Sequence, residues 1–152
     1  MDLHLILAHL TDIAVAYGLS LPIGWDREQS ERSAGLRTFP LVAIASCGFI
    51  LASEQILVDQ PDARSRVIQG VVTGIGFIGG GAVLKHGEAV RGTATAASLW
   101  ATGAIGVAAG LRNYEVALVL SIVTFLTLRL LAPWRTRIAA LRGDQDHDGK
   151  PS

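Results

Sequence analysis

Residues 67–84 read VIQGVVTGIGFIGGGAVL, a run that contains no charged side chain. A second run without charge covers residues 92–111. Roughly 20 consecutive apolar residues in a helix cross the hydrocarbon core of a bilayer, and both runs approach that length. A helix on the surface of a soluble protein carries a polar face along its whole length, and these runs have none. The two runs therefore predict membrane-spanning helices.

The composition of the whole chain agrees with this interpretation. Of 152 residues, 50% are hydrophobic and only 17% are charged, and the formal net charge is zero. A neutral chain lacks the basic surface that binds nucleic acid, so we expect no such partner. The single cysteine, Cys47, excludes an intrachain disulfide, and we interpret it as a small buried hydrophobe. The N-terminus lacks the basic segment of a cleavable signal peptide, so we expect the first apolar segment to be retained.

We therefore predict an all-α fold, a polytopic membrane helical bundle of about five transmembrane helices with glycine-rich interfaces. The predicted spans cover residues 3–25, 40–58, 67–84, 93–110 and 114–131, with a loop at residues 85–91. A four-span alternative omits the first segment, because that segment contains His9, Asp12 and Pro22. In this interpretation residues 1–134 form the membrane domain. Residues 135–152 form a cytoplasmic tail that is first basic and then disordered.

The distribution of lysine and arginine predicts the orientation of the bundle. With five spans, three of the 13 basic residues fall on one side of the membrane and the other ten on the opposite side. Basic flanks are retained in the cytoplasm, which places the N-terminus outside and the C-terminus inside. We expect Arg129, in the last turn of its span, to extend to the cytoplasmic interface. The smaller group is Arg64, Arg66 and Arg112; the larger is Arg27, Arg32, Arg37, Lys85, Arg91, Arg129, Arg135, Arg137, Arg142 and Lys150.

Residues 74–79, Gly-Ile-Gly-Phe-Ile-Gly, match the dinucleotide-binding pattern GxGxxG. That pattern requires a strand before it, a helix after it and an acidic residue ~20 positions further along the chain. Here the flanking sequence is apolar, and residues 95–100 contain no acid. We therefore reject a nucleotide site at this motif.

Close helix packing explains the same glycines better. In lipid, small residues four positions apart let two helix backbones approach and gain van der Waals contact. The glycines with this spacing are Gly70 and Gly74, Gly76 and Gly80, and Gly106 and Gly110. We predict that a glycine face of the third span packs against a small, weakly polar face of the fourth, within one chain or between two. The first face comprises Gly70, Gly74, Phe77 and Gly81, and the second comprises Thr95, Ser98, Thr102 and Gly106.

Residues 25–38, WDREQSERSAGLRT, form the charged connection between the first two spans. Gly35 permits a tight turn, which would bring Arg37 back toward Asp26 or Glu28. We expect this acid–base group to be functional; the alternative is a solvated helix end with weak ion pairs. A helical continuation would also pair residues four apart, Arg27 with Glu31 and Glu28 with Arg32.

Two further carboxylates, Asp12 and Glu54, lie within predicted spans near their outer ends. Carboxylates inside a membrane are costly, and they usually face a partner, an ion or a water-filled cavity. We interpret both as interfacial, at the ends of spans that are a few residues shorter than drawn. His9 is placed for a local hydrogen bond to Asp12, but this pair alone is a weak metal site.

Three segments together resemble the MgtC/SapB family of bacterial membrane proteins. They are residues 23–28 with 34–38 (IGWDRE and AGLRT), 74–81 (GIGFIGGG) and 90–100 (VRGTATAASLW), and they agree in order and spacing. The sequence departs from the family pattern at Asp26, where glutamate is common, and at Phe39, where histidine is frequent. It also has Thr-Ala-Thr at residues 93–95, where Leu-Thr-Thr is usual. We expect the chain to end where longer members add a soluble cytoplasmic domain.

The resemblance implies a multi-pass protein of the bacterial plasma (inner) membrane, linked to growth in low magnesium and to the survival of pathogens inside host cells. Some members are reported to act on the F-type ATP synthase. The family's motif residues correspond here to Asp26, Arg27, Glu28, Gly35, Arg37, Arg91, Gly92 and Trp100.

Two hypotheses for the function follow. The first is a non-enzymatic regulatory protein that binds a membrane partner complex, such as the F-type ATP synthase, during adaptation to low magnesium. The second is a small oligomeric cation transporter or channel for Mg²⁺, with Asp26, Glu28 and Glu54 as weak candidates for its ligands. We expect no catalytic residues and no cofactor other than Mg²⁺. The expected partners are membrane lipid, further copies of the chain and the partner complex.

Overall fold

The structure, a computed structural model, describes residues 3–30, 34–56, 60–86 and 89–145. Within them, five helices and one β-hairpin follow one another. In chain order the elements are α1 (Leu3–Ser30), α2 (Thr38–Ile56), α3 (Pro61–Gly81), β1 (Leu84–His86), β2 (Ala89–Arg91), α4 (Thr93–Gly110) and α5 (Tyr114–Gln145).

The helix boundaries follow the predicted spans, with extensions at several ends. Helix α4 begins and ends at the predicted residues. Helix α3 begins earlier than predicted, at Pro61, because proline has the backbone angle of a first helical turn and needs no hydrogen bond there. Helix α5 continues to Gln145 and so includes most of the segment predicted as a tail. Residues 146–152 lie outside the described residues.

The predicted loop between α3 and α4 contains a β-hairpin instead. Strands β1 and β2 are antiparallel, and Leu84 pairs with Arg91 while His86 pairs with Ala89. The fold is all-α, as predicted, with one small hairpin in a connection between helices. The GxGxxG motif lies inside α3, with a helix on both sides instead of a strand before it.

Helix α4 is at the centre of the bundle and packs against all four other helices. Its small residues make this arrangement sterically feasible. A Cβ atom on Gly106 would lie 3.0 Å from the carbonyl carbon of Ala43, and one on Gly110 would lie 3.0 Å from the carbonyl oxygen of Cys47. These two contacts show that α2 and α4 run side by side in the same direction.

Helix α3 packs on α4 through a different face from the predicted one. Its buried residues are Val71, Ile75 and Gly79. A Cβ atom on Gly103 would lie 2.9 Å from Cγ1 of Ile75, so the larger side chain of α3 fills the space that the glycine of α4 leaves.

Among the described residues, nothing packs on the predicted glycine face of α3. A Cβ atom at any of its glycines, and at the neighbouring ones of the repeat, would meet none of their atoms within 4 Å, so the predicted packing of this face on α4 within one chain is wrong. This face borders a groove of about 690 Å³ between α2 and α3. Packing between two chains stays a prediction. The five glycines of α3 at which an added Cβ atom would meet no neighbour in the described part of the chain are Gly70, Gly74, Gly76, Gly80 and Gly81.

The outside of the bundle is apolar. Two described helices, Leu3–Ser30 and the segment Tyr114–Leu131, are long and apolar enough to cross a membrane. Phe77 is 85% exposed and Phe49 is 61% exposed, and α5 presents a row of exposed branched side chains that includes Ile122. Exposed apolar surface of this extent is typical of proteins that contact lipid or another protein. These features indicate a membrane protein.

Candidate functional site

The candidate site is centred on a carboxylate at the C-terminal end of α1. Oδ2 of Asp26 lies 2.6 Å from Nη2 of Arg27, and both side chains are buried. Oδ1 of the same carboxylate lies 3.6 Å from Nη1 of Arg129, which comes from α5 and is 61% exposed. Asp26 thus lies between two guanidinium groups and joins the end of α1 to α5. We call these three residues the Asp26 cluster.

Sequence reasoning missed the part played by Arg129, which was expected to extend to the interface alone. The two ends of this contact are far apart in the sequence, and no local spacing connects them. The sequence did contain one indication of this contact. Arg129 is a charged residue in an otherwise apolar segment, and such residues usually have a partner.

Arg27 is only partly satisfied by this arrangement. Its Nε atom is buried and has no hydrogen-bond partner among the described residues. Nε and Nη2 form one edge of the guanidinium group, and a carboxylate or phosphate typically binds such an edge through two parallel hydrogen bonds. Asp26 therefore occupies one half of the edge and leaves the other half free.

The turn between α1 and α2 is fixed by Glu28 and Gly35. Oε2 of Glu28 accepts a hydrogen bond from the backbone N–H of Leu36 at 3.0 Å. A Cβ atom on Gly35 would lie 2.9 Å from the Cα atom of Glu28, so no other residue fits without displacing α1. The carbonyl oxygen of Gly35 accepts hydrogen bonds from Thr38 and Phe39, which begins α2.

Arg37 does not fold back as the sequence suggested. Its side chain is exposed, and it forms no ion pair within the described residues. Asp26 is already paired with Arg27 and Arg129, and Glu28 is bound to the backbone, so neither carboxylate takes Arg37 as a partner. The predicted pairs with Glu31 and Arg32 involve residues that lie outside the described part of the chain.

A second fixed turn precedes α4. Gly92 has a φ angle of +84°, in the left-handed region that glycine adopts without strain. A Cβ atom at this position would also lie 3.0 Å from the carbonyl carbon of Ala82. Arg91, the last residue of β2, is exposed immediately beside it. This turn lies at the same end of the bundle as the Asp26 cluster, because α1 ends there and α2 and α4 begin there.

Trp100 lies about two turns into α4 and is 53% exposed. Its side chain borders a separate cavity of about 280 Å³ together with Val72 and Gly103. The structure therefore associates Trp100 with the apolar contact between α3 and α4 rather than with the Asp26 cluster.

The three weak candidates for metal ligands have different partners and do not come together at one point. Asp26 lies against two arginines, Glu28 accepts a backbone hydrogen bond, and Oε1 of Glu54 lies 3.9 Å from Nη2 of Arg64. No group of three or more histidine, cysteine, aspartate or glutamate side chains converges in the described part of the chain. Because Mg²⁺ often takes only one or two carboxylates and keeps several waters, binding of Mg²⁺ stays a prediction.

The other end of α1 carries a second buried carboxylate. Asp12 is fully buried between helices, and its position relative to the membrane interface stays a prediction. Its carboxylate accepts a hydrogen bond from the hydroxyl group of Tyr114, and Oδ2 lies 3.4 Å from Nε of Arg112. Both partners flank the start of α5, so a polar contact fixes the α4–α5 turn against α1. The predicted topology puts Asp12 and Arg112 on the same side of the membrane. Their opposite charges on one side were the feature of the sequence that could have predicted this pair.

The fold and the site together define a small helical membrane protein with a charged, rigid end. The sequence profile of the MgtC family matches residues 13–137. This match covers most of the chain, and the chain belongs to the MgtC family.

Individual relatives agree with this assignment. Protein MgtC of Salmonella typhimurium strain LT2 is 37% identical over 137 residues, which are 90% of this chain and 58% of the Salmonella protein. Protein MgtC of Brucella abortus strain 2308 is 39% identical over 121 residues, 80% of this chain and 50% of the relative. An uncharacterized protein of Synechocystis is 36% identical over 129 residues, 85% of this chain and 54% of the relative. The chain thus spans between 50% and 58% of the length of these relatives. No solved structure matches it.

Proposed function

We propose that this chain is a non-enzymatic protein of the bacterial inner membrane that supports adaptation to low magnesium by contacting a membrane partner complex. In this proposal the five helices cross the membrane, with the N-terminus outside. The end that carries the Asp26 cluster then faces the cytoplasm, as the positions of the basic residues favour.

One observation carries the proposal. Arg37 and Arg91 are both exposed at this end of the bundle, and neither has an ion-pair partner among the described residues. Arg37 lies two residues after Gly35, and Arg91 lies immediately before Gly92. Neither glycine position has space for a side chain. Exposed charges without an ion-pair partner are suited to recognise a partner of opposite charge, because complementary charges steer association and fix its register.

The transporter hypothesis receives less support from the geometry. A transported cation needs accessible oxygen ligands, and the three candidate carboxylates are bound to arginines or to the backbone. A contact surface explains the exposed arginines without transport.

Two assays separate these functions, one on the purified chain and one on the chain in cell membranes. In the first, the full chain in liposomes that contain a magnesium-sensitive dye should give no Mg²⁺ entry above that of empty liposomes. In the second, a tagged chain is captured from membranes of cells grown in low magnesium, and subunits of the F-type ATP synthase are quantified. We expect them to be recovered with the wild-type chain and with Arg66→Ala, which alters an exposed arginine of α3. The variant with both Arg37→Ala and Arg91→Ala should lose them. Mg²⁺ entry that is abolished by Asp26→Asn would support transport instead.

A further inference from the structure

The Asp26 cluster has an excess of positive charge. Arg27 and Arg129 both lie against Asp26, so two guanidinium groups share one carboxylate. The next carboxylate of α1, Glu28, accepts the N–H of Leu36 and forms no ion pair within the described residues. Among the described residues, one positive charge of the cluster therefore has no carboxylate to neutralise it. The guanidinium group of Arg27 is buried, and a buried charge is costly until an anion compensates it.

The Nε atom of the Arg27 guanidinium group is the point at which an anion could bind. Nε of Arg27 is a buried donor without a hydrogen-bond partner among the described residues. Such a donor costs about 1–3 kcal/mol if it stays unpaired, and native structures rarely leave one so without a water or an ion. The cluster therefore combines an uncompensated charge with an unused hydrogen-bond donor.

The position of the cluster in the bundle indicates the class of ligand. Arg129 lies near the end of the apolar part of α5, Tyr114–Leu131, and its side chain is 61% exposed. Trp25, immediately before Asp26, is 58% exposed. Tryptophan is enriched at the level of lipid headgroups, where an apolar side chain meets the membrane–water boundary. Phosphate groups are the anions that are abundant at this depth.

We propose that the Asp26 cluster is a binding site for a phosphate group. Nε of Arg27 and the exposed guanidinium group of Arg129 hold the phosphate oxygens, and the Asp26 carboxylate lies between the two guanidinium groups. A tetrahedral phosphate has enough oxygens to bind both guanidinium groups at once, which is the geometry that favours arginine over lysine. The phosphate belongs to an anionic phospholipid headgroup or to a soluble phosphate. This site does not depend on the partner contact proposed above.

The experiment measures the thermal stability of the purified full chain in neutral detergent during titration with two probes. The first probe is phosphatidylglycerol in mixed micelles, with phosphatidylcholine as the reference lipid, and the second is inorganic phosphate. A saturable rise in melting temperature with phosphatidylglycerol alone identifies a lipid headgroup. The same rise with inorganic phosphate identifies a soluble ligand and supports the site equally. No saturable rise with either probe would overturn the proposal.

Variants show whether the effect comes from the Asp26 cluster. Arg129→Gln should weaken the apparent affinity about tenfold, which corresponds to the loss of one charge-assisted hydrogen bond. Arg66→Gln, which removes an exposed arginine from α3, should leave the affinity unchanged. Equal responses of these two variants would contradict the site.

Asp26→Asn separates a binding site from a purely structural cluster. This change removes the carboxylate that competes with a phosphate for the two guanidinium groups. We expect the affinity for phosphatidylglycerol or phosphate to rise several-fold, although the protein without ligand is less stable. Unchanged or weaker binding in Asp26→Asn would show that the arginines serve only to hold α1 and α5 together.

Discussion

The hydroxyl group of Ser121 in α5 donates a hydrogen bond to the backbone carbonyl oxygen of Leu19 in α1, at 2.6 Å. This contact lies midway between the pairing of Asp12 with Tyr114 and that of Asp26 with Arg129. The three contacts show that the first and last helices run in the same direction and are joined by polar groups at three levels. The residues of α1 are seven positions apart, a spacing that keeps them on one face of a helix.

The central contact makes a prediction about stability. Ser121→Ala should lower the free energy of unfolding by about 0.5–1.5 kcal/mol, because one interhelical hydrogen bond is lost at a buried position. Unfolding in mixed micelles of increasing SDS content measures this change. Ser65→Ala is the control, since Ser65 is exposed and bonds only within its own helix. An equal effect of the two changes would contradict a stabilising role for the Ser121 contact.

The central glycines of α4 should be less tolerant than those of α3. Gly106→Ala places a methyl group against the backbone at Ala43 and should cost about 1–3 kcal/mol, because the helices must separate. Gly74→Ala meets no atom and should cost nothing in the same unfolding assay. The prediction is contradicted if the two variants are equally stable.

Gly74→Leu tests whether the open face of α3 joins two chains. If it does, the variant should lose oligomers in detergent while its free energy of unfolding stays unchanged. Ile122→Leu, at an exposed position of α5, serves as the control. Equal oligomer distributions for both variants would leave the glycine face without a role in assembly.

The turn before α5 holds an arginine in an unfavourable backbone conformation. Arg112 has a φ angle of +60°, which costs about 1–2 kcal/mol for a residue with a side chain. Arg112→Ala keeps this strain and loses the pairing with Asp12, whereas Arg112→Gly loses the pairing and relieves the strain. We expect the glycine variant to be more stable than the alanine variant by about 1 kcal/mol. A more stable alanine variant would show that the turn is not strained.

The pairing of Asp26 with Arg27 should show strong coupling. Asp26→Ala leaves the buried guanidinium group without its counterion and should cost about 3–5 kcal/mol in phosphate-free, neutral detergent. Adding Arg27→Leu should recover much of this loss, because the uncompensated charge is removed. A double-mutant cycle on unfolding free energies measures the coupling, and additive effects would mean that the two side chains act independently.

The sequence predicted the helices better than their contacts. The start of α4 and the start of α5 were placed correctly because charged or polar residues, Arg91 and Arg112–Asn113, interrupt the apolar runs there. The face of α3 that packs on α4 was predicted wrongly. Glycine spacing indicates a surface on which another helix can approach closely, but it does not identify that helix. In the structure the side chain of Ile75 fills the space beside Gly103, so α3 contacts α4 through the face that carries Ile75.

Residues 25–38 were predicted to contain an acid–base group, and Asp26 does pair with arginines, but Arg129 was not predicted as one of its partners. Asp26 and Glu28 were recognised as members of an acid–base group, whereas the expected partner, Arg37, is exposed. The actual partner of Asp26 is Arg129, which is distant in the sequence and adjacent only after α1 and α5 pack. Local patterns do not contain the information that joins such residues.

The most direct test of the proposed function is growth in low magnesium of cells that depend on this chain and carry Arg37→Ala. We expect growth support to be lost while the amount of protein in the membrane stays at the wild-type level, because Arg37 is exposed and forms no ion pair within the described residues. Arg66→Ala, measured in parallel, should keep full support. Wild-type growth of the Arg37→Ala strain at an equal level of protein would rule out a role for Arg37 in the proposed contact.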